Sequence, residues 1–195
     1  MKGTLIAPVL RSTRLVLRAM DFGDLSEVHR LRSDKGIARN MGFTAHENLE
    51  RTRSYMQSML NGEDADEWLF WVLTREKEDR FMGSIVLWNY REEHNDAELG
   101  YSLLPEQQGR GYMREALPVV MEFAYDALQI ATLQVFTGQD NRPSRRLLEH
   151  LHFYYAANAT EEMPNGKTMY LANYTMTKEE YYARKTAQHS THPRR

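Results

Sequence analysis

A short glycine-containing loop between an extended segment and a long amphipathic one restricts the fold most. Residues 97–104 alternate as a strand does and are ended by Pro105, and residues 112–128 carry the apolar face of a helix. Gly109 and Gly111 lie in the loop that joins them. Glycine lets the backbone approach a ligand closely, and the first turn of a helix has unpaired amides. The unit is therefore suited to binding an anion such as a pyrophosphate.

Two interpretations of this loop stay open on its residues alone. Two glycines separated by one residue also make an ordinary tight turn, and an isolated Gly-x-Gly pattern is a weak sign of a ligand site. Arg110, between the glycines, adds a flexible positive charge that suits an anion. The residues around the loop are needed to distinguish an ordinary turn from a binding site.

The rest of the sequence predicts one α+β domain over residues 1–195, without an internal repeat or linker. Alternating or β-branched segments predict further strands at residues 13–19, 68–74, 81–88, 132–137, 153–159 and 168–176. Helices are predicted after Asp21 or Asp24, from a capping-box pattern at Thr44 and Glu47 through about Leu60, and over residues 141–151. The core is expected at about residues 10–177, with a polar, solvated tail at 178–195 that is frayed after Tyr182.

Composition excludes several classes of function. The 25 basic and 27 acidic residues are spread along the chain, so neither nucleic acid nor a membrane is expected as a partner. No apolar run approaches the roughly 20 residues of a membrane span, and the N-terminus does not resemble a signal peptide. A cytoplasmic protein is therefore the default expectation. Without cysteine there is no disulfide, thiolate zinc site or cysteine nucleophile. His150 and His152 lack a third ligand at metal-binding spacing, so no metal is expected.

Two motifs give the loop its context. Residues 97–117, centred on Gln108, Gly111 and Met113, resemble the acyl-CoA motif of the GNAT acetyltransferase superfamily. That motif is Gln or Arg, two residues, Gly, one residue, then Gly or Ala, and Met113 replaces the last small residue. Residues 141–153 resemble the family's Asn-x-x-Ser helix ending in Gly-Phe, with His152 in place of the glycine. Residues 14–18 resemble the branch that contains ribosomal-protein N-terminal acetyltransferases. The resemblance covers about residues 10–177.

The resemblance implies a single GNAT-like domain with a mixed, mostly antiparallel sheet of about seven strands and about four helices. It implies acetyl-CoA as the acyl donor, with no metal. The strand ending at Leu103 and the strand at residues 133–136 are expected to splay apart around the pantetheine arm. The implied cofactor-binding residues are Leu103, Leu104, Gln108, Gly109, Arg110, Gly111, Tyr112, Met113, Asn141 and Ser144.

The resemblance also implies direct acetyl transfer to a primary amine. An amine attacks only when neutral, so a base is useful. Glu98 is the candidate base, although from its residue type alone it could be a solvated carboxylate or the partner of an arginine. Two roles stay open for Ser144: the acid that protonates the departing thiol, or only the cap of its own helix. Asn141 has the same two alternatives of helix cap and ligand contact. The amide of Leu103 is a candidate donor to the thioester carbonyl.

No motif identifies the acceptor. Its walls are expected at about residues 38–44 and 154–168, and one or two of Trp68, Trp71 and Trp88 could join them while the others lie in the core. The acceptor could be the N-terminal amine of a (ribosomal) protein or a small molecule such as a polyamine or an antibiotic. An acyl-CoA binding or sensing module without turnover is the alternative of a different class. The protein is expected to be a monomer or a homodimer.

Overall fold

Strand pairing organises the chain, for which the computed structural model describes residues 7–61, 68–91, 94–163, 166 and 168–190. Across these residues the strands are β1 (Leu10–Arg11), β2 (Leu15–Ala19), β3 (Leu69–Arg75), β4 (Glu78–Arg91), β5 (Asp96–Leu103), β6 (Thr132–Gly138), β7 (Tyr154–Glu162) and β8 (Thr168–Thr177). They form one sheet in the order β1-β2-β3-β4-β5-β6-β8-β7. Only the β5–β6 pair of this described sheet is parallel. The mixed, mostly antiparallel sheet is confirmed, and the sequence pattern missed only the two-residue β1.

The same described ranges contain six α-helices, two more than expected. They are α1 (Leu25–Ser33), α2 (Lys35–Met41), α3 (Leu49–Asn61), α4 (Tyr112–Asp126), α5 (Arg142–His150) and α6 (Lys178–Ser190). The unexpected α2 begins where the Asp34 side chain accepts a hydrogen bond from the Ile37 amide, and it ends at Gly42 in the left-handed conformation. The sequence Pro164-Asn165-Gly166 predicts a turn between the last two strands, and this turn lies mostly outside the described residues.

The capping box expected at Thr44 and Glu47 is wrong. α3 begins at Leu49, and the Arg51 amide donates to Asn48 Oδ1 at 2.9 Å, so Asn48 caps the helix. The earlier start is prevented by His46, whose amide donates to the Arg32 carbonyl at 2.9 Å and holds the preceding loop against α1.

The expectation of a solvated tail is also wrong for residues 178–190. A capping box starts α6: the Glu180 amide donates to Thr177 Oγ1 at 3.2 Å, and the Thr177 amide donates to the Glu180 carboxylate at 3.0 Å. The ring of Tyr181 packs on Tyr125 of α4 with centroids 5.5 Å apart, and its hydroxyl donates to Glu122 at 2.9 Å. The helix is therefore docked onto α4.

Apolar side chains bury both faces of the sheet. One cluster joins the sheet to α4 and to Leu148 of α5, and Trp71 lies at its centre with no exposed surface. The Trp71 indole N–H donates to the Pro8 carbonyl at 2.8 Å. A second cluster packs α1, α2 and α3 against Val72 and Phe81. The sheet is thus fixed between two helical layers. A binding site can form where two neighbouring strands of the sheet separate.

Such an opening lies between β5 and β6. The two strands are in register only from Asp96 to Glu98, opposite Thr132 to Gln134, and they separate after these three pairs. The expected splay of the sheet is therefore present. The vertex of the opening is at Glu98, and the opening widens toward Leu103 on β5 and Gly138 on β6.

A buried polar cluster connects α1 with α3. The Thr52 hydroxyl lies 2.8 Å from Nδ1 of His29 and 2.9 Å from Nδ1 of His46, which is 6% exposed. Burial, together with the positive charges of Arg32 and Arg51, lowers the pKa of His46 to about 4. His46 is therefore neutral in the folded protein at neutral pH.

This neutral histidine predicts a loss of stability in mild acid. Unfolded His46 takes up a proton near pH 6.5, whereas folded His46 does so only near 4, so the unfolded state binds more protons between these values. We expect the unfolding free energy to fall by on the order of 1–3 kcal/mol as the pH drops through this window. Urea unfolding near neutral pH and near pH 5 measures this change in the unfolding free energy. His46→Gln should weaken the pH dependence and exposed His94→Gln should not; equal pH dependence in wild type and both variants would contradict the assignment.

Candidate functional site

The loop from β5 to α4 leaves the start of α4 open. Gly109 and Gly111 have φ of 72° and 76°, in the left-handed region, and Gly111 is the N-cap of α4. No side chain in the described residues caps this helix end. The amides of Tyr112 and Met113 therefore remain available to an anion, together with the positive end of the helix dipole.

Side chains fix this loop from two directions. Gln108 Nε2 donates to the Leu103 carbonyl at 3.0 Å, which ties the loop to the end of β5. Arg14 donates to the Arg110 carbonyl at 3.4 Å and to the Glu115 carboxylate at 2.5 Å. The loop is thus held in position before any ligand arrives, and a second guanidinium lies beside it.

Met113, which replaces the small residue of the motif, does not fill the loop. Its side chain is 6% exposed and belongs to the core cluster under the sheet. Tyr112 is buried as well, and its hydroxyl accepts a hydrogen bond from Arg75 at 3.1 Å. Both side chains point into the protein, so the two residues can offer backbone amides to a ligand.

A groove of about 660 Å³, which we name the Gly109 groove, runs from this loop to α5. Eight of the ten predicted cofactor-binding residues line it: Leu103, Gln108, Gly109, Gly111, Tyr112, Met113, Asn141 and Ser144. Arg110 and Leu104 do not. Leu104 is 2% exposed, its amide donates to the Met82 carbonyl at 3.0 Å, and its carbonyl accepts from the Gln107 amide at 2.8 Å. The backbone of Leu104 is therefore already paired inside the protein.

The pairing of Leu104 also shows which backbone groups of β5 point away from β4. Leu104 and the residues that alternate with it bond toward β4, where Ser102 pairs with Ser84. In an antiparallel ladder the intervening residues point their amides and carbonyls the other way. Tyr101 and Leu103 therefore direct theirs into the opening beside β6, where the Leu103 carbonyl accepts the hydrogen bond from Gln108 Nε2.

A second cavity of about 390 Å³, which we name the Glu98 cavity, lies deeper in the opening. Glu98, Trp88 and Glu161 are among the residues that line it. The Gly109 groove and the Glu98 cavity share four lining residues: Met41, Tyr101, Asn141 and Ser144. Two molecules bound in the two spaces would therefore meet beside these side chains.

Asn141 and Ser144 both serve the start of α5. Asn141 Oδ1 accepts a hydrogen bond from the Ser144 amide at 3.3 Å and so caps the helix. The Ser144 hydroxyl takes no part in this cap and lies 2.8 Å from the Tyr101 hydroxyl. Ser144 thus contributes its backbone to the helix and its side chain to the junction of the two spaces.

Tyr101 was not among the predicted site residues. Burial raises the pKa of Tyr101, although its hydrogen bond with Ser144 acts in the opposite direction, so the phenol stays protonated at neutral pH. The alternation of β5 could have indicated that Tyr101 shares the face of Leu99 and Leu103. Its contact with Ser144, 43 positions away, depends on the sheet and could not be read from either segment.

Glu98 lies at the vertex of the opening, directly across from Trp88 on β4. Its Oε1 accepts a hydrogen bond from Asn89 Nδ2 at 2.5 Å. The neighbouring Arg91 pairs with Asp96, and no cation of the described residues forms an ion pair with Glu98. The carboxylate therefore keeps its charge available for a molecule in the Glu98 cavity.

Most of the sequence matches a known family model. Residues 14–154, well over half of the chain, match the model described as an acetyltransferase (GNAT) domain. The chain belongs to the GNAT acetyltransferase family. Family membership confirms the expected enzyme class and agrees with the order of elements that forms the groove and the cavity.

Relatives and solved structures extend this GNAT assignment. The uncharacterized N-acetyltransferase YoaA of Bacillus subtilis (strain 168) is 25% identical over 166 residues, 85% of this chain and 94% of that protein. Spermidine N-acetyltransferase from Vibrio cholerae, solved with CoA and spermine, superposes with a TM-score of 0.75 at 20% identity, covering 86% of this chain and 98% of that one. Mycobacterium smegmatis RimJ, solved with CoA-disulfide, gives a TM-score of 0.76 at 18% identity, covering 89% and 87%. These structural likenesses show the fold.

The described residues contain neither a metal-binding cluster nor a helix suited to spanning a membrane. No group of three or more histidine or acidic side chains could hold a metal ion there. None of the helices described is both long and apolar enough to cross a membrane.

Proposed function

We propose that this GNAT protein binds acetyl-CoA in the Gly109 groove and transfers its acetyl group directly to a primary amine bound in the Glu98 cavity. The observation that carries the proposal is the junction of these two spaces at the Tyr101 and Ser144 hydroxyls, 2.8 Å apart. Acetyl-CoA would supply the acetyl group as a reactive thioester.

The Gly109 groove fits such a donor. The uncapped amides of Tyr112 and Met113 suit a pyrophosphate, and Arg14 and Arg110 add positive charge. The Leu103 amide and the backbone groups of Tyr101, which point into the opening, suit the amides of a pantetheine arm. The Leu103 amide is also the candidate donor to the carbonyl on which negative charge develops.

Glu98 is the proposed base. A lysine-like amine has a pKa of about 10 and must lose a proton before it attacks. With Oε1 held by Asn89, Oε2 of Glu98 can accept that proton directly or through water. The hydrogen bond from Asn89 fixes the carboxylate at the vertex of the opening, where the amine would arrive.

Tyr101 and Ser144 are the proposed acid. A thiol has a pKa of about 8.5, so a proton donor assists its departure modestly. Tyr101 stays protonated because burial raises its pKa, and its bond with Ser144 allows either hydroxyl to donate into the junction. Tyr154 and Tyr155 line neither space, so neither is proposed as the acid.

Removal of the hydroxyls tests the acid. We expect Tyr101→Phe and Ser144→Ala each to lower kcat about tenfold, less than a full general acid contributes because a thiol leaves with only modest assistance, with little change in the dissociation constant of CoA. Thiol release and calorimetric CoA binding measure the two quantities. Tyr170→Phe removes a phenol that is 62% exposed and serves as the control. Full turnover in both site variants would place the proton donor elsewhere.

The acceptor itself requires a direct screen. The N-terminal amine of a ribosomal protein and a small amine are the two classes considered, and the folds of RimJ and of the spermidine enzyme are equally similar to this chain. Thiol release from acetyl-CoA with N-terminal peptides, polyamines and aminoglycosides tests both. CoA binding without thiol release for any acceptor would support a binding or sensing module instead of an enzyme.

A further inference from the structure

The Glu98 cavity is negatively charged. Glu98 and Glu161 are the charged side chains that line it, and none of the described lining residues is lysine, arginine or histidine. In the part of the chain that the structure describes, no cation pairs with either carboxylate. One carboxylate has a role in the proposed reaction, as the base. The second has none.

The two carboxylates line the Glu98 cavity from different strands, Glu98 from β5 and Glu161 from β7. Glu98 is in register with Gln134 of β6, and Glu161 lies two positions beyond the row of Gly138. Counted along the strands, these six positions correspond to roughly 20 Å at a rise of about 3.3 Å per residue, and β7 lies two strands farther across the sheet than β6. Glu98 is thus at the vertex and Glu161 near the mouth, beside Gly42 at the end of α2.

The wall between them is apolar and aromatic. Trp88 packs against Gly100, where an added Cβ would lie 2.7 Å from its ring, and stacks on Trp68 with centroids 5.4 Å apart. Phe136 and Met169 complete the wall. Such a surface accommodates a methylene chain, and the aromatic faces tolerate a cation close to them.

From these features we propose that Glu161 is a specificity-determining residue that binds a second cationic group on a long, linear amine acceptor. The inference rests on the proposed function: the reacting amine lies at Glu98, and the far ammonium group lies at Glu161. The volume of about 390 Å³ is typical of a small-molecule site, which favours a linear polyamine over a protein N-terminus.

The test compares two acceptors and two variants. Spermine has a far cationic group, and octylamine has a chain but no second charge. We expect wild type to prefer spermine in kcat/KM, and Glu161→Gln to raise the KM for spermine about tenfold with kcat nearly unchanged. The KM for octylamine should not respond to Glu161→Gln. Glu162→Gln, an identical charge change at an exposed neighbour outside the cavity, is the matched control.

The outcomes separate this inference from the proposed function. Turnover of N-terminal peptides but not of spermine, or spermine kinetics that are identical in wild type and Glu161→Gln, would overturn the role of Glu161 and leave acetyl transfer intact. If no amine releases thiol, the proposed function fails. Calorimetric binding of spermine then decides the inference by itself: tenfold weaker binding to Glu161→Gln supports it, and equal binding overturns it.

Discussion

Replacing Glu98 with glutamine is expected to lower kcat/KM for the amine about 100-fold at neutral pH, the low end of the range for a general base. The substitution keeps the shape of the side chain and the Asn89 contact but removes the group that accepts the proton. Because Glu98 lines the Glu98 cavity and not the Gly109 groove, the dissociation constant of CoA should stay within about twofold of wild type.

The pH dependence makes this test specific. Without the carboxylate, the rate should depend on spontaneous deprotonation of the amine, whose pKa is about 10, and should recover as the pH rises. Wild type should reach its plateau at lower pH. Glu76→Gln, an exposed site in the turn between β3 and β4, controls for the change of net charge. Parallel pH-rate curves for wild type and Glu98→Gln would remove Glu98 from the mechanism.

Gly109→Val is expected to weaken CoA binding at least tenfold, because the valine side chain would occupy the space through which the ligand approaches the α4 amides. An added Cβ would meet no protein atom within 4 Å, so the loss would come from the ligand and from the backbone. With φ at 72°, the backbone contribution is on the order of 1–2 kcal/mol of stability.

Gly166→Val separates these two effects. Gly166 has φ of 75° and likewise no atom within 4 Å of an added Cβ, but it lies between β7 and β8 and outside the Gly109 groove. Both variants should unfold at lower urea concentration, and only Gly109→Val should bind CoA more weakly. Equal CoA affinities in the two variants would place the pyrophosphate elsewhere.

Local patterns were sufficient for most of the fold. Alternation along the chain predicted seven of the eight strands in the described sheet, and the glycine loop predicted the junction of β5 and α4. The helix α6 was missed even though its capping box, Thr177 to Glu180, is visible in the sequence. It docks through two tyrosines whose partners in α4 lie more than fifty positions away along the chain. The sequence of residues 178–190 taken alone therefore indicated only a polar segment.

The site shows the same division between local and distant information. Glu98, Asn141 and Ser144 come from two separate motifs, and the structure brings all three to the lining of one cavity. Tyr101 and Glu161 match none of the defining positions of either motif, because their roles depend on where β5 and β6 part and on the register of β7 with β8. Residues placed by distant pairing are therefore the ones that motif reasoning omits.

The three residue pairs that join β5 to β6 have one more consequence. They are the only direct backbone ladder between the first five strands and the last three within the described sheet, so the two halves meet along a short seam. Beyond it, no strand of the described sheet pairs with the amides of Tyr101 and Leu103 or with the carbonyl of Tyr101, whereas the Leu103 carbonyl accepts from Gln108. A donor molecule that bonds to them would complete the sheet in place of polypeptide, and its departure would leave the two halves joined by the seam and the helical layers alone.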